Sequence, residues 1–216
     1  MSQLDARMFT VGPVQENCYI VRGPDSPNAL IVDPGDEANK LLEAINRLEI
    51  ETVEAILVTH THFDHIGAVA PVAEATGAPV YCPELETQVL ANIMDYVWPG
   101  FGPFESYQAD HIVAGGETLE LAGLSIDVIF TPGHSPGHVT YAIAEHDALF
   151  SGDVLFQGSV GRVDLPGGDW ATLLASIESL VSAFPAETTV YPGHMGITTL
   201  GRERATNPFL RELAER

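Results

Sequence analysis

One six-residue window constrains this chain more than any other: His60-Thr61-His62-Phe63-Asp64-His65. It follows residues 54–59 (EAILVT), a short continuous apolar run of the kind found in a strand covered on both faces. Four metal-competent side chains in six residues cannot be buried singly without partners. The fold must therefore deliver them where a strand ends at the rim of a sheet, the place where ligands bind. Residues i and i+2 of an extended segment share a face, so His60 and His62 can grip one ion. Asp64 and His65, past the bend, can point toward a second. The plainer alternative is that Asp64 only caps the helix that follows.

Three more predicted strands end on such a side chain: Thr131-Pro132-Gly133-His134, Ser151-Gly152-Asp153 and Pro192-Gly193-His194. Each alone reads as readily as a turn. Together with the first window they make five imidazoles and two carboxylates, too many for one open zinc site and suited to two. The natural partition gives His60, His62 and His134 to the first ion and Asp64, His65 and His194 to the second, with Asp153 bridging. Two ions ~3.5–4 Å apart can make water nucleophilic at neutral pH and polarise a substrate oxygen. Zinc is the expected metal, with iron or manganese as substitutes, and Asp64 doubles as a candidate proton acceptor.

Around these segments the pattern alternates strands and helices. Strands are expected at 8–11, 18–22, 29–33, 54–59 and 80–82, then at 118–121, 125–131, 139–144, 148–151 and 188–191. Helices are expected at 37–49 (capped by Asp36), 66–76, 85–97 and 169–183. Each half runs through a strand meander, an Asp-containing loop, a helix and a short apolar strand followed by a histidine. Two such halves packed sheet against sheet, with helices outside, give a four-layer αββα sandwich. No linker divides residues 1–216, so one domain is expected.

Composition narrows the function. The net charge is −21, from 9 Lys+Arg against 30 Asp+Glu. Lys40 is the only lysine, and the 114 residues between Arg47 and Arg162 carry 16 carboxylates and no Lys or Arg. Nucleic acid and anionic membrane surfaces both require a basic footprint, so neither is expected as a partner; a small molecule is. No signal peptide or membrane span is read, and Cys18 and Cys82 fit reduced, buried thiols in a cytoplasmic protein. The oligomeric state has no signature in the sequence.

Through Thr-His-Thr-His-Phe-Asp-His at 59–65, His134, Asp153 and His194, in that order, the chain resembles the metallo-β-lactamase superfamily. Asn17-Cys18-Tyr19 and Val32-Asp33-Pro34-Gly35-Asp36 extend the likeness over essentially the whole chain. Gly161-Arg162-Val163-Asp164-Leu165-Pro166-Gly167-Gly168 and Thr206-Asn207-Pro208-Phe209-Leu210 make it most similar to the short glyoxalase II-like hydrolases. The resemblance implies hydrolysis of a thioester such as S-D-lactoylglutathione. It also implies that the C-terminal glutathione-binding helical domain of full-length glyoxalase II is missing. Arg162 stands where that family places a glutathione-contacting Lys, and Gly196 where it places a Tyr.

Other residues admit two readings. Arg162 can bind a substrate carboxylate or pair with Asp164. Tyr96, Trp98, Phe101, Phe104 and Tyr107 can form a lid over an apolar acyl group or simply pack. Asp33 can orient a ligand from behind or serve a turn, and His111, His138 and His146 are expected at the surface. A persulfide dioxygenase with one iron resembles the same scaffold and shares the Gly-Arg-x-Asp stretch. A lactonase and a non-catalytic binding module complete the alternatives.

Overall fold

The computed structural model describes residues 4–210. The chain starts with β1 (Asp5–Val11), β2 (Glu16–Arg22) and β3 (Asn28–Val32), an antiparallel meander. Helix α1 (Ala38–Arg47) then crosses to β4 (Thr52–Leu57), which pairs parallel to β3. Helices α2 (Phe63–Ile66) and α3 (Val69–Thr76) lead to β5 (Val80–Pro83), α4 (Thr87–Leu90) and β6 (His111–Val113). Strands β1 to β6 form one sheet in sequence order.

The second sheet opens with the meander β7 (Thr118–Leu121), β8 (Leu124–Phe130), β9 (Val139–Ile143) and β10 (Ala148–Gly152). After the small hairpin β11 (Leu155–Phe156) and β12 (Ser159–Val160), helix α5 (Trp170–Ala183) crosses to β13 (Thr189–Pro192). Strand β13 lies parallel to β10, as β4 does to β3. Strand β14 (Thr198–Thr199) and α6 (Leu200–Thr206) follow, and the sheet order is β14-β13-β10-β9-β8-β7.

Strand periodicity decides what packs where. Ala55 and Leu57 of β4 face the second sheet and join Tyr19, Leu30, Ile126, Tyr141 and Phe150 in the central layer. Ile56, one residue out of step, faces outward with Leu41, Ile45, Val69 and Val72 of α1 and α3. On the far side Leu149 and Val190 meet Leu173, Ile177 and Leu180 of α5. Helix layers thus flank two facing sheets, the expected αββα sandwich. Each of these fully buried aliphatic side chains contributes roughly 1.5–3 kcal/mol from area removed from water. Tyr141 ties the sheets together by donating its hydroxyl to Val58 O at 2.9 Å. Both cysteines are buried free thiols, and no helix among the described residues is long and apolar enough to cross a membrane.

Three expected details differ. The helix expected over 66–76 is two helices, because Pro71 lacks the N–H that would bond Gly67 and its ring would strike that carbonyl. Residues 85–97 are not one helix but a 3₁₀ turn at Glu84–Glu86, the single turn α4 and a second 3₁₀ turn at Ile93–Asp95. Asn92 leaves helical geometry there (φ −143°, ψ 43°), ending α4. Asp36 does not cap α1; its Oδ1 accepts only the adjacent Glu37 N–H, and Glu37 holds the cap position in a left-handed conformation.

Candidate metal centre

The strands β4, β8, β10 and β13 end at the same rim, and each runs into one of the polar segments. His60 Nε2, His62 Nδ1 and His134 Nε2 lie 2.8–3.2 Å apart, a triangle of ring nitrogens. Asp64, His65 and His194 converge beside it, with His194 Nε2 3.2 Å from Asp64 Oδ2. Asp153 lies between: its Oδ2 is 3.4 Å from His134 Nε2 and 3.6 Å from His194 Nε2, and its Oδ1 is 3.3 Å from His65 Nε2. All seven side chains named from the sequence meet in one place. Asp64 makes no capping bond; the cap position of α2 is His62.

The groups behind these rings fix their tautomers. His134 Nδ1–H donates to Arg162 O at 2.7 Å, which leaves the Nε2 lone pair inward. Asp33 accepts from Thr59 N–H (2.7 Å), Thr59 Oγ1–H (2.6 Å) and His65 Nδ1–H (3.0 Å), which turns His65 Nε2 inward. With its own proton committed to Asp33, Thr59 Oγ1 accepts from His60 Nδ1 at 3.1 Å. Asp33 therefore orients two ligand segments from behind, and its backbone holds a left-handed φ of 48° to do so.

The donor set fits a cation. His65 Nε2 and Asp153 Oδ1 are buried without any hydrogen-bond partner, a cost that an ion between them removes. Three inward lone pairs about 3 Å apart match the edge of a tetrahedron around a metal with bonds of about 2.0–2.1 Å. Burial, reinforced by the neighbouring rings, holds His60 well below the usual histidine range and brings His62 down to about 4. Burial also acts to lower His65, but the nearby charge of Asp153 and the hydrogen bond to Asp33 outweigh it and raise that ring well above its ordinary value. His194 is raised the same way, by Asp153 and Asp64 against burial. Burial works to raise the carboxyls of Asp64 and Asp153, yet the facing histidines hold both below the usual range.

Three residues that sequence reading passed over support the centre. Glu86 is buried, and its carboxylate accepts four bonds: from Thr61 N–H (3.3 Å), Thr61 Oγ1–H (2.5 Å), Ser135 Oγ–H (2.6 Å) and Gly137 N–H (2.9 Å). It bolts the His60–His62 loop to the His134 loop. No motif marks it. His138, expected at the surface, is fully buried and stacked on His60 at 4.9 Å. Its Nε2 accepts the Asp153 N–H at 3.1 Å, so its Nδ1–H donates to Thr131 Oγ1 at 3.0 Å. The doubled Pro-Gly-His of residues 132–138 was its sequence signature. A side chain at Gly152 would overlap Thr59 Oγ1 and lie 2.6 Å from His138 Nε2, which is why glycine precedes Asp153. Glu16 is fully buried 3.8 Å from His65 Nδ1, and burial pushes its carboxyl up toward the neutral form. His111 is exposed and His146 half-buried.

The loop carrying His194 is held from the other sheet. Asn17 N–H donates to Gly193 O (2.7 Å), Asn17 Nδ2 to Pro192 O (3.1 Å) and Met195 O (2.8 Å), and Tyr19 Oη to Pro192 O (2.7 Å).

Above the centre opens a cavity of about 790 Å3. Tyr96 and Trp98 line it, but Phe101 does not: it packs behind Phe63 at 4.8 Å, as Phe104 does at 6.1 Å. The five-aromatic stretch thus splits into two wall residues and three half-buried packing residues, Phe101, Phe104 and Tyr107. Arg162 stands at the mouth, with Nε and Nη2 donating to both oxygens of Asp164 at 2.6 and 2.7 Å.

A family model described as the metallo-beta-lactamase superfamily matches residues 11–194. The chain belongs to this superfamily. Two curated relatives are similar along nearly their whole length. The "Probable metallo-hydrolase YqgX" of Bacillus subtilis is 41% identical, over 94% of this chain and 96% of its own. The "Hydroxyacylglutathione hydrolase GloC" of Haemophilus influenzae is 33% identical, over 96% and 98%. Among solved structures, TTHA1623 in a di-iron-bound form superposes with a TM-score of 0.83 at 43% identity, covering 94% of this chain and 100% of that one. A metal-dependent hydrolase is the activity this superfamily membership and these relatives support.

Proposed function

We propose that the protein is a dinuclear metal-dependent hydrolase of thioesters, of the glyoxalase II kind, with S-D-lactoylglutathione as the reference substrate. The observation that carries the reading is Asp153 Oδ2, set within 3.4 and 3.6 Å of a ligand nitrogen from each trio. His60, His62 and His134 would hold one divalent ion and Asp64, His65 and His194 the other, with Asp153 between. Imidazole and carboxylate donors suit zinc and also iron; zinc is the metal we propose. Bound there, such ions lower the pKa of water and polarise an acyl carbonyl.

The chain's own groups supply the rest. Asp33, Arg162 O and Thr59 engage the Nδ1 atoms of His65, His134 and His60 and so turn their Nε2 atoms inward. Asp64 lines the cavity floor, where its carboxylate takes the proton of the attacking water and returns it to the departing sulfur. A carbon–oxygen bond forms, the carbon–sulfur bond breaks, and the products are a carboxylic acid and a thiol. The test is metal content measured with thioester turnover. About two ions per chain and turnover abolished by a chelator are expected; activity indifferent to the chelator, with less than one ion bound, would overturn the proposal.

A further inference from the structure

The walls of the cavity carry information about the thioester itself. Phe63 stands between ligands His62 and Asp64 and is backed by Phe101. Trp98 meets it edge-on at 5.5 Å, and Leu85, Tyr96 and Phe156 continue the apolar surface around the cavity. Leu85, Tyr96 and Trp98 remain 62, 51 and 40% exposed. Large apolar side chains left open beside a reactive floor mark a surface that a ligand covers.

Charge at the mouth points the same way. Among the described lining residues Arg162 is the only Lys or Arg, and its guanidinium is engaged by Asp164 and lies 5.6 Å over the Trp98 ring. An exposed pair of this kind is weak, so a substrate carboxylate could displace Asp164. Displacement does not improve the sum: Asp164 stays two residues away, exposed Asp95 lines the same mouth, and the whole chain carries −21. A carrier with free carboxylates enters against this field, whereas an uncharged one does not.

We propose that the centre prefers thioesters with a bulky apolar acyl group and an uncharged thiol carrier over glutathione thioesters. The inference rests on the hydrolase reading above and narrows it. Water adds to the acyl carbon, the carbon–sulfur bond breaks, the acyl group leaves as a carboxylic acid and one proton of the water passes to the departing sulfur, giving the thiol.

The test uses the full, metal-loaded chain with S-acetyl-, S-butanoyl- and S-octanoyl-N-acetylcysteamine, all uncharged, beside S-D-lactoylglutathione. The octanoyl compound is expected to exceed both the acetyl compound and S-D-lactoylglutathione in kcat/KM by about tenfold or more, the scale of methylene discrimination in an apolar pocket. Trp98→Ala should raise KM for the octanoyl substrate at least about threefold more than for the acetyl one, with kcat held. Asp164→Asn should move the ratio of the two kcat/KM values toward S-D-lactoylglutathione by a similar factor. A flat chain-length series, or S-D-lactoylglutathione matching or beating the octanoyl compound, overturns this inference and leaves the thioesterase reading standing. No turnover of any thioester by a chain with both ions bound overturns both.

Discussion

His60, His62 and His134 form a triangle of imidazoles of which only His62 keeps some exposure, whereas in Asp64, His65 and His194 two side chains do, Asp64 and His194. In the first trio burial favours the neutral ring of His60 and His62, so their lone pairs stand ready, while Asp153 lies 3.4 Å from His134. In the second, Asp64 and Asp153 act on His65 and His194 and hold their rings toward the charged form. A proton there partly does the work of a cation. One trio is thus built of imidazoles alone, whereas the other mixes imidazole with carboxylate and can hold a proton where a cation would sit.

The hardest test of this contrast removes what joins the trios. Asp153→Ala is expected to lose both ions and several kcal/mol of transition-state stabilisation, roughly 10³-fold in kcat/KM. Metal analysis that still finds both ions would show that the trios are independent.

Glu86→Ala should act on one trio only. It frees Thr61 and Ser135 on the two loops of the first trio and touches nothing in the second. Affinity for the first ion is expected to fall roughly 10–100-fold, the usual cost of losing a supporting partner, with the second little changed. Competition with a chromophoric chelator reads the two affinities separately. Glu86→Gln should not rescue, because its amide NH2 offers donors where Thr61 or Ser135 also donate.

Acid should separate the trios in order. A raised ring pKa means protons compete with metal at higher pH, and a lowered one means they compete only at lower pH. As pH falls from 8, His65 and His194 protonate first and the second ion should leave. His62 takes up its proton only near about 4 and burial holds His60 low as well, so the first ion should persist to lower pH than the second. Dialysis at stepped pH, with His194→Ala and His62→Ala assigning each step, checks this; simultaneous loss would break the contrast. The smallest effect is expected of Thr131→Val, which leaves His138 Nδ1–H without its acceptor behind Asp153. About 1–3 kcal/mol of stability should go, read as a drop in Tm with both ions retained.

The layers and the ligand set were legible because they rest on short-range pattern. The continuous apolar run of β4, the helical spacing of Leu41 and Ile45, and four strands ending in His or Asp all stand in short stretches of sequence. What stayed hidden depends on partners far away in the chain. Glu86 is an ordinary acid until Ser135 and Gly137, about fifty residues on, donate to it. His138 looked like a surface ring because nothing local shows that Asp153 supplies its proton donor. Glu16 gives no sign of its burial beside His65. Broken helices were missed at 66–76 and 85–97, where Pro71 and the backbone of Asn92 override apolar spacing.

The clamp of Asn17 and Tyr19 on the His194 loop spans 173 to 178 residues of sequence. A nascent chain that has released Asp153 from the ribosome owns six of its seven metal-competent side chains, but the seventh is set only when the first hairpin closes on the end of β13. Among the hydrogen bonds of the described residues these close the longest stretch of chain, and such contacts form late. Uptake of a second ion is therefore a readout of completed topology: in a refolding experiment it should lag the return of secondary structure and coincide with the final gain in tertiary order.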